Sequence, residues 1–246
     1  MEQHKGFIVL IDISGYTNFV SKHNIDSSKN KKLDFGQAHA EHIISDLLEK
    51  VINELDDVLT INKLQGDAAL FYGISDNDNN LSEKIINKMQ ASFEAFNNRV
   101  NELKFCEACK CGTCVDVGNL KLKSFVHFGD FLIKEINQFK EIAGQDVILA
   151  HRLMKNSIGV SEYMLFTKSF TEIKDINSLG SIENRIEKYD DMGNVDCSVH
   201  YPDKKLYDIE LSSKKSWLGE KIAMFKYFIN SKSKKNIELK YNLIIS

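Results

Sequence analysis

The chain has 246 residues, 43% of them hydrophobic and 27% charged, which is typical of a globular protein and excludes a disordered or fibrous one. Its 32 basic and 35 acidic side chains give a formal net charge of -3, so no overall positive field favours nucleic acid or an anionic membrane as a partner. No apolar run reaches the roughly 20 residues that a membrane-spanning helix needs, and the first ten residues lack the apolar segment of a secretory signal. We therefore expect a cytoplasmic protein without a membrane span, in which the five cysteines are reduced or bind metal.

Hydrophobic periodicity predicts alternating strands and helices. In chain order, the predicted elements are a buried strand at Phe7–Ile11, a polar loop at Ser21–Asp34, an amphipathic helix at Ala40–Leu55, a hairpin of strands Val58–Leu64 and Ala68–Tyr72, a helix at Ser82–Leu103, a strand at Leu120–Phe128 that ends at Gly129, a helix that begins near Gly144, a strand at Tyr163–Thr167 and a short helix from Lys168. This order predicts an α+β fold with one mixed sheet and helices on one face.

The pattern changes beyond about residue 178. It predicts strands at Asp196–Tyr201, Leu206–Leu211 and Ile237–Ile245, and a helix at Trp217–Phe228. No low-complexity linker separates this part from the rest. We expect a core domain of residues 1–177 and a C-terminal α/β extension, residues 178–246, that packs on the core.

Two acidic residues follow predicted strands. Asp12 comes directly after the first strand, and Asp67 lies in the turn of the predicted hairpin. If these strands are neighbours, both carboxylates reach the same sheet edge, where a carboxylate pair suits Mg²⁺ or Mn²⁺. The residues alone leave a second interpretation open, in which Asp12 caps a turn and Asp67 belongs to an ordinary Gly-Asp turn.

Four sequence motifs resemble those of one family. IDISGYTNFV (residues 11–20) is similar to a strand that ends in Asp-Ile-x-Gly-Phe-Thr, and NKLQGDAALFYG (residues 62–73) is similar to a Lys-x-x-Gly-Asp hairpin. FVHFGDF (residues 125–131) is similar to the strand that follows, and AGQDVILAHRL (residues 143–153) to a helix of the form Gly-x-x-Val-Asn-x-Ala-x-Arg-Leu. In this order they resemble the class III nucleotidyl cyclases, and among them an uncharacterised bacterial branch with a Cys-rich insertion. The resemblance covers about residues 5–175 and implies a ferredoxin-like βαββαβ core.

The resemblance also implies roles for individual residues. Asp12 and Asp67 would bind two divalent ions, Mg²⁺ or Mn²⁺, with the Ile13 carbonyl as a further ligand. The backbone amides of Ser14, Gly15, Tyr16 and Thr17 would hold the β- and γ-phosphates of a nucleoside triphosphate. Lys63 and Glu141 fall at the positions that contact the purine, where Lys63 favours adenine, and Arg152 falls at the position of the transition-state arginine. The implied reaction is attack of the ribose 3′-hydroxyl on the α-phosphate with release of pyrophosphate.

One position departs from the family pattern. The Asn that orients the ribose corresponds to Ile148, whose side chain can neither donate nor accept a hydrogen bond. Loss of one positioned polar group commonly lowers an enzymatic rate by about 10²–10³. Asp12, Asp67 and Arg152 favour a cyclase, whereas Ile148 favours a catalytically inactive homologue that acts as a nucleotide sensor or a protein-interaction module.

In the family, the active site is shared between two chains in a head-to-tail dimer. The resemblance therefore implies a homodimer in which Asp12 and Asp67 of one chain face Lys63 and Arg152 of the other, with two equivalent sites.

A cysteine cluster precedes the strand that begins at Leu120. Cys106, Cys109, Cys111 and Cys114 form the pattern CxxCxCxxC. Thiolates at this density favour Zn²⁺ or an iron–sulfur cluster, although four ligands from so short a loop strain a tetrahedral site. A structural zinc ion and a loop of reduced cysteines both fit the pattern, and a third overall interpretation is a zinc-stabilised interaction module with a vestigial nucleotide site.

Overall fold

The computed structural model of the chain describes residues 2–26, 36–75, 80–105 and 116–203, without the side chains of residues 23–39 and 105. Its strands are β1 (Glu2–Ser14), β2 (Thr60–Gln65), β3 (Ala68–Ile74), β4 (Lys121–Ile136), β5 (Phe139–Ala143), β6 (Tyr163–Thr167), β7 (Ile182–Tyr189) and β8 (Gly193–His200). Its α-helices are α1 (Tyr16–Asp26), α2 (Gly36–Leu55), α3 (Leu81–Phe105), α4 (Gln145–Leu153) and α5 (Lys168–Thr171), and short 3-10 helices lie at Val117–Asn119 and Asn177–Leu179.

These strands form one mixed sheet in the order β2-β3-β1-β4-β6-β8-β7, and β5 pairs with β4 as a hairpin. All neighbouring pairs are antiparallel except β4 and β6, which are parallel. The central strand β1 alternates between two apolar faces, since Val9 and Ile11 lie in one buried cluster and Ile8 and Leu10 in the other. The predicted α+β fold with a βαββαβ core and a mixed sheet is confirmed.

Both faces of the sheet are covered, but by different numbers of helices. Buried residues of α1, α2, α3 and α5 pack with one face, as the prediction of helices on one face expects. Helix α4 packs on the opposite face through Val147, Ala150 and Leu153. Strand β5, which the hydrophobic pattern did not predict, pairs with β4 directly before α4 begins.

Several boundaries differ from the sequence prediction. Strand β1 spans Glu2–Ser14 where Phe7–Ile11 was predicted, so Asp12 lies within the strand and not after it. Helix α1 continues to Asp26, where a polar loop from Ser21 was expected, and its Phe19 is buried in the core although the helix as a whole is polar. Strand β4 continues through Gly129 to Ile136, and a Cβ at Gly129 would collide with the side chain of Asp146. Glycine at this position is therefore a packing requirement and not a strand end.

The described part of the predicted extension continues the same sheet. Strand β8 covers most of the strand predicted at Asp196–Tyr201, and β7 was not predicted. Pairing of β8 with β6 joins these strands to the core. The elements predicted beyond residue 203 lie outside the described residues, and the division at residue 177 stays a prediction.

Candidate functional site

Two carboxylates meet at one end of the sheet. Asp12 lies between Ile11 and Ile13, which are buried under the helices, so its side chain faces the opposite side of the sheet. In the register of β1 with β3, Asp12 is opposite Ala68, the residue after Asp67. The backbone N–H of Ile13 also donates a hydrogen bond of 3.1 Å to the carbonyl oxygen of Asp67. The end of β1 and the β2–β3 turn are therefore in direct contact, as the sequence-based hypothesis requires.

The surroundings of both carboxylates disfavour their negative charge. Burial, and secondarily the negative charge of Asp67, raise the pKa of Asp12 to about 6 against an opposing effect of Lys123. The pKa of Asp67 is also raised, first by burial and further by Glu41, although a backbone hydrogen bond and Lys123 oppose the shift. A cation bound between the two carboxylates would relieve this repulsion, so the donors and their charge fit a divalent metal ion.

Lys123 and Glu41 complete this group and were not singled out from the sequence. Lys123 lies opposite Asp12 in the register of β1 with β4 and places its Nζ 5.7 Å from the centroid of the Tyr163 ring. Glu41 Oε1 accepts a hydrogen bond of 2.8 Å from the Tyr16 hydroxyl, and this bond is the main cause of a raised Tyr16 pKa. In the sequence LKLKSFV, lysines alternate with apolar residues, which indicates a strand with one polar face. The pattern does not give the residue that lies beside Lys123, because that depends on which strand is the neighbour of β4 in the sheet.

The turn between β1 and α1 provides backbone amides beside the carboxylates. Gly15 has a φ of 92°, a conformation that favours glycine, and its carbonyl accepts a hydrogen bond of 2.9 Å from the N–H of Phe19. The first N–H groups of α1, including those of Tyr16 and Thr17, have no acceptor within the helix because of helical geometry. Ser14 Oγ is buried and has no hydrogen-bond partner among the described residues. This turn can therefore bind an anion.

The predicted purine-contacting residues form a second group on the α4 side of the sheet. Lys63 lies opposite Leu70, which belongs to the apolar cluster under α4. Its Nζ is 3.9 Å from Glu141 Oε1, and Lys134 Nζ is 3.6 Å from Glu141 Oε2. Burial, and secondarily the positive charge of Lys63, lower the pKa of His151, which belongs to the same surroundings.

Helix α4 carries the other two residues of interest. Ile148 is 51% exposed, so no packing in the described chain requires an apolar side chain there. Arg152 forms an ion pair with Asp191 in the β7–β8 turn, with 2.7 Å between Nη2 and Oδ2. Within the described residues, no ion pair or hydrogen bond joins Lys63 or Arg152 to the Asp12–Asp67 pair, so the predicted site residues form two separate groups in one chain.

A buried histidine and an aspartate attach α4 to the sheet. His127 Nδ1 lies 2.9 Å from Thr167 Oγ1 and 3.1 Å from Ser169 Oγ, and His127 Nε2 lies 3.2 Å from Asp146 Oδ1. Asp146 Oδ2 also accepts a hydrogen bond of 2.6 Å from the N–H of Asp130. His127 and this N–H lower the pKa of Asp146 against burial, which raises it. These contacts act together with the buried Val147, Ala150 and Leu153 in holding α4, which carries Arg152, against the sheet.

The cysteine cluster gives no structural information, because Cys106, Cys109, Cys111 and Cys114 lie outside the described residues. The prediction of a zinc or iron–sulfur site there stays a prediction that elemental analysis of the purified protein would test. In the ranges that the structure covers, no group of three or more His, Cys, Asp and Glu side chains is arranged to hold a metal ion. None of the helices in these ranges has the length and apolar character that crossing a bilayer demands.

Comparison with known proteins gives a family and a fold. Residues 44–163 match the family described as "Protein of unknown function (DUF2652)". The chain is 30% identical over 166 residues to the uncharacterized protein Rv2561/Rv2562 of Mycobacterium tuberculosis, over 68% of this chain and 76% of that protein.

Solved structures share the fold at low sequence identity. The adenylyl cyclase CyaB of Pseudomonas aeruginosa matches with a TM-score of 0.58 and 14% identity, over 82% of this chain and 97% of that chain. A class III adenylyl cyclase-like ATP-binding protein of Pseudomonas aeruginosa matches with a TM-score of 0.55 and 14% identity, over 73% of this chain and 37% of that chain. The fold is that of the class III nucleotidyl cyclases.

Proposed function

Because this chain belongs to a family of proteins of unknown function (DUF2652) and has the class III nucleotidyl cyclase fold, we propose that it binds a nucleoside triphosphate together with divalent cations. The observation that carries the proposal is the convergence of Asp12 and Asp67, where burial, and secondarily the negative charge of Asp67, raise the pKa of Asp12 to about 6. A divalent cation would neutralise the charge of two neighbouring carboxylates and could bind the triphosphate at the same time.

Asp12, Asp67 and the carbonyl of Ile13 would hold two ions, Mg²⁺ or Mn²⁺. Bound there, these ions would supply positive charge for the triphosphate and acidify the ribose 3′-hydroxyl. The amides of the turn from Ser14 to Thr17 would donate hydrogen bonds to the β- and γ-phosphates. Lys123, beside both carboxylates, would add a positive charge for the same phosphates.

We propose that Lys63 and Glu141 contact the purine. Lys63 Nζ can donate a hydrogen bond to N1 of adenine, which is an acceptor, whereas N1 of guanine carries a hydrogen and is a donor. Glu141 can accept a hydrogen bond from an exocyclic amino group. The two groups are 3.9 Å apart and are both accessible, which suits a pair that a ring edge approaches from solvent. ATP is therefore the favoured nucleotide.

A shared site in a homodimer would explain why the predicted residues form two separate groups. In a head-to-tail pair, Asp12 and Asp67 of one protomer would face Lys63 and Arg152 of the other. Exposed Ile136, Phe139 and Ile148 on the β4–β5 hairpin and α4 provide apolar surface for such contact. Light scattering at micromolar concentration tests this arrangement, and a monomer in the presence of ATP and Mn²⁺ contradicts it.

The catalytic form of the proposal is conversion of ATP to a 3′,5′-cyclic nucleotide. The ribose 3′-oxygen attacks the α-phosphorus, the bond from that phosphorus to the bridging oxygen breaks, pyrophosphate leaves, and the hydroxyl proton passes to solvent. Arg152 would stabilise the negative charge that develops on the phosphate oxygens.

No membrane-spanning helix is present in the described ranges, and a cytoplasmic location stays part of the proposal.

A second candidate function is nucleotide binding without turnover. Ile148 favours it, because an exposed apolar side chain replaces the ribose-orienting Asn of the family pattern. The ATP-binding protein of Pseudomonas aeruginosa, described as adenylyl cyclase-like, offers a precedent in the same fold.

Incubation with each of the four ribonucleoside triphosphates and Mn²⁺, followed by mass analysis of the products, separates these functions. Asp12→Ala and Asp67→Ala remove the carboxylates, and Asp56→Ala, at an exposed position after α2, is the matched control. Product from the wild type and Asp56→Ala alone supports the enzyme. Binding without product supports the sensor, and absence of nucleotide binding in the wild type contradicts both.

A further inference from the structure

The guanidinium group of Arg152 is already partly occupied by a carboxylate of the same chain. Its Nε and Nη2 lie 3.0 and 2.7 Å from Oδ2 of Asp191, so one carboxylate oxygen accepts hydrogen bonds from one edge of the group. Asp191 comes from the turn between β7 and β8, far along the chain from α4. Its contact with Arg152 therefore exists only because the fold brings the two together.

This ion pair is accessible to solvent. The side chains of Arg152 and Asp191 are 44% and 46% exposed, and exposed pairs contribute little net stability because water screens them. By contrast, Arg185 on the neighbouring strand β7 pairs with Glu187, whose side chain is only 4% exposed. The Arg185 pair is largely shielded from water. In the Arg152 pair, by contrast, another anion can replace the Asp191 carboxylate at little cost in stability.

An edge of the guanidinium group that binds a carboxylate is also an edge that binds a phosphate. Both anions accept two parallel N–H donors, and a phosphate of a nucleoside triphosphate carries more charge than a carboxylate. Asp191 also brings a negative charge, beside that of Asp190, to a place where a polyanion is expected to bind. Competition for the edge of the guanidinium group and the added negative charge therefore both oppose nucleotide binding.

We propose that Asp191 is an affinity-determining residue of the nucleotide site: it occupies the phosphate-binding edge of Arg152 in the free protein and is displaced when the nucleotide binds. This inference rests on the proposed function, because it assigns Arg152 to phosphate. It adds a role for the β7–β8 turn, which would lower the affinity for nucleotide through one carboxylate.

The test is calorimetric titration of the full chain with 3′-deoxy-ATP and Mn²⁺, since this nucleotide lacks the attacking hydroxyl and binds without turnover. Asp191→Asn keeps the size of the side chain and removes its charge, and Asp190→Asn removes an equal charge from the same turn. We expect Asp191→Asn to lower the Kd at least threefold relative to Asp190→Asn. In an Arg152→Ala background, Asp191→Asn should give no such gain, because the effect acts through the arginine.

The outcomes separate this inference from the proposed function. If Asp191→Asn binds 3′-deoxy-ATP no more tightly than Asp190→Asn, or more weakly, the displacement is wrong while nucleotide binding stands. A gain that persists without Arg152 also contradicts it. If neither the wild type nor any variant binds the nucleotide, the proposed function and this inference both fail. Asp191→Ser, with thermal unfolding of each variant as a check, replaces Asp191→Asn if that variant does not fold.

Discussion

The N–H of Ile13 donates a hydrogen bond of 3.1 Å to the carbonyl oxygen of Asp67, and this contact ties the end of β1 to the β2–β3 turn. It positions two carboxylates, those of Asp12 and Asp67, at one end of the sheet, where burial and then the charge of Asp67 disfavour the ionisation of Asp12. A carboxylate pair in these surroundings has consequences for stability, for pH dependence and for the proposed function.

The first consequence is a stability cost at neutral pH. Because the pKa of Asp12 is raised to about 6 in the folded protein, its ionisation disfavours folding, by up to about 3 kcal/mol above pH 6. Asp12→Asn should therefore raise the free energy of unfolding at pH 7.5, and the gain should shrink as the pH falls through 6 and disappear only below the ordinary pKa of 3.8, where the wild-type carboxyl is protonated in both the folded and the unfolded state. Urea denaturation at several pH values measures it. Asp56→Asn is the control, and an equal gain at all pH values would contradict the assignment.

The same raised pKa predicts pH-dependent metal binding. Protons compete with a divalent cation for the Asp12 carboxylate, so the affinity for Mn²⁺ should fall by up to about tenfold per pH unit below 6. Electron paramagnetic resonance of free Mn²⁺ at pH 5, 6 and 7.5 measures the change. Asp12→Asn should bind Mn²⁺ more weakly at pH 7.5 and lose most of the pH dependence; a variant with the wild-type profile would place the cation elsewhere.

Gly129 should be intolerant of a side chain. A Cβ at this position would collide with the carboxylate of Asp146, which attaches α4 to β4. Gly129→Ala should lower the free energy of unfolding by about 1–3 kcal/mol and weaken nucleotide binding, because α4 must shift. Gly159→Ala, where a Cβ meets nothing within 4 Å, should be close to neutral. Adding Asp146→Ala to Gly129→Ala should restore part of the stability, and purely additive losses would exclude the collision.

Ile148 tests whether the missing polar group limits turnover. Its side chain is 51% exposed, so Ile148→Asn should change stability by no more than about 0.5 kcal/mol. If the chain is a cyclase, the new amide should raise the rate of cyclic nucleotide formation by about 10²–10³. Mass analysis of the product measures the rate, and Ile173→Asn, at a position 46% exposed outside the site, is the matched control. No product from Ile148→Asn despite nucleotide binding would favour the sensor.

Lys63 tests the choice of base. Lys63→Glu places a second carboxylate near Glu141, and paired carboxylates suit the N1 and exocyclic N–H donors of guanine rather than the N1 acceptor of adenine. We expect the ratio of ATP to GTP affinity to fall at least about tenfold, the effect of one hydrogen bond to a charged group. Competition of each nucleotide against a fluorescent analogue measures the ratio. Lys134→Glu changes the other lysine near Glu141 and should leave the ratio nearly unchanged.

The hydrophobic pattern was sufficient for most of the fold because each element marks its own buried face locally. The predicted hairpin and the helices on either side of it are present, and Asp67 lies in the hairpin turn, whereas Asp12 lies within β1 and not after it. The pattern failed at α1, where a mostly polar helix buries Phe19, and at Gly129, where a glycine that resembles a strand end instead makes room for Asp146.

What the sequence determined by itself was therefore the α+β order of elements and the acidic residues Asp12, in the first strand, and Asp67, in the hairpin turn; the resemblance to the cyclases added the expectation of a polar residue where this chain has Ile148. Only the tertiary structure decided that Lys123 faces Asp12, that α4 lies on the second face of the sheet and that Asp191 pairs with Arg152. The physical reason is that burial repeats with the period of a helix or a strand and can be read from neighbouring residues, whereas a contact between polar side chains far apart in the chain depends on strand order and register.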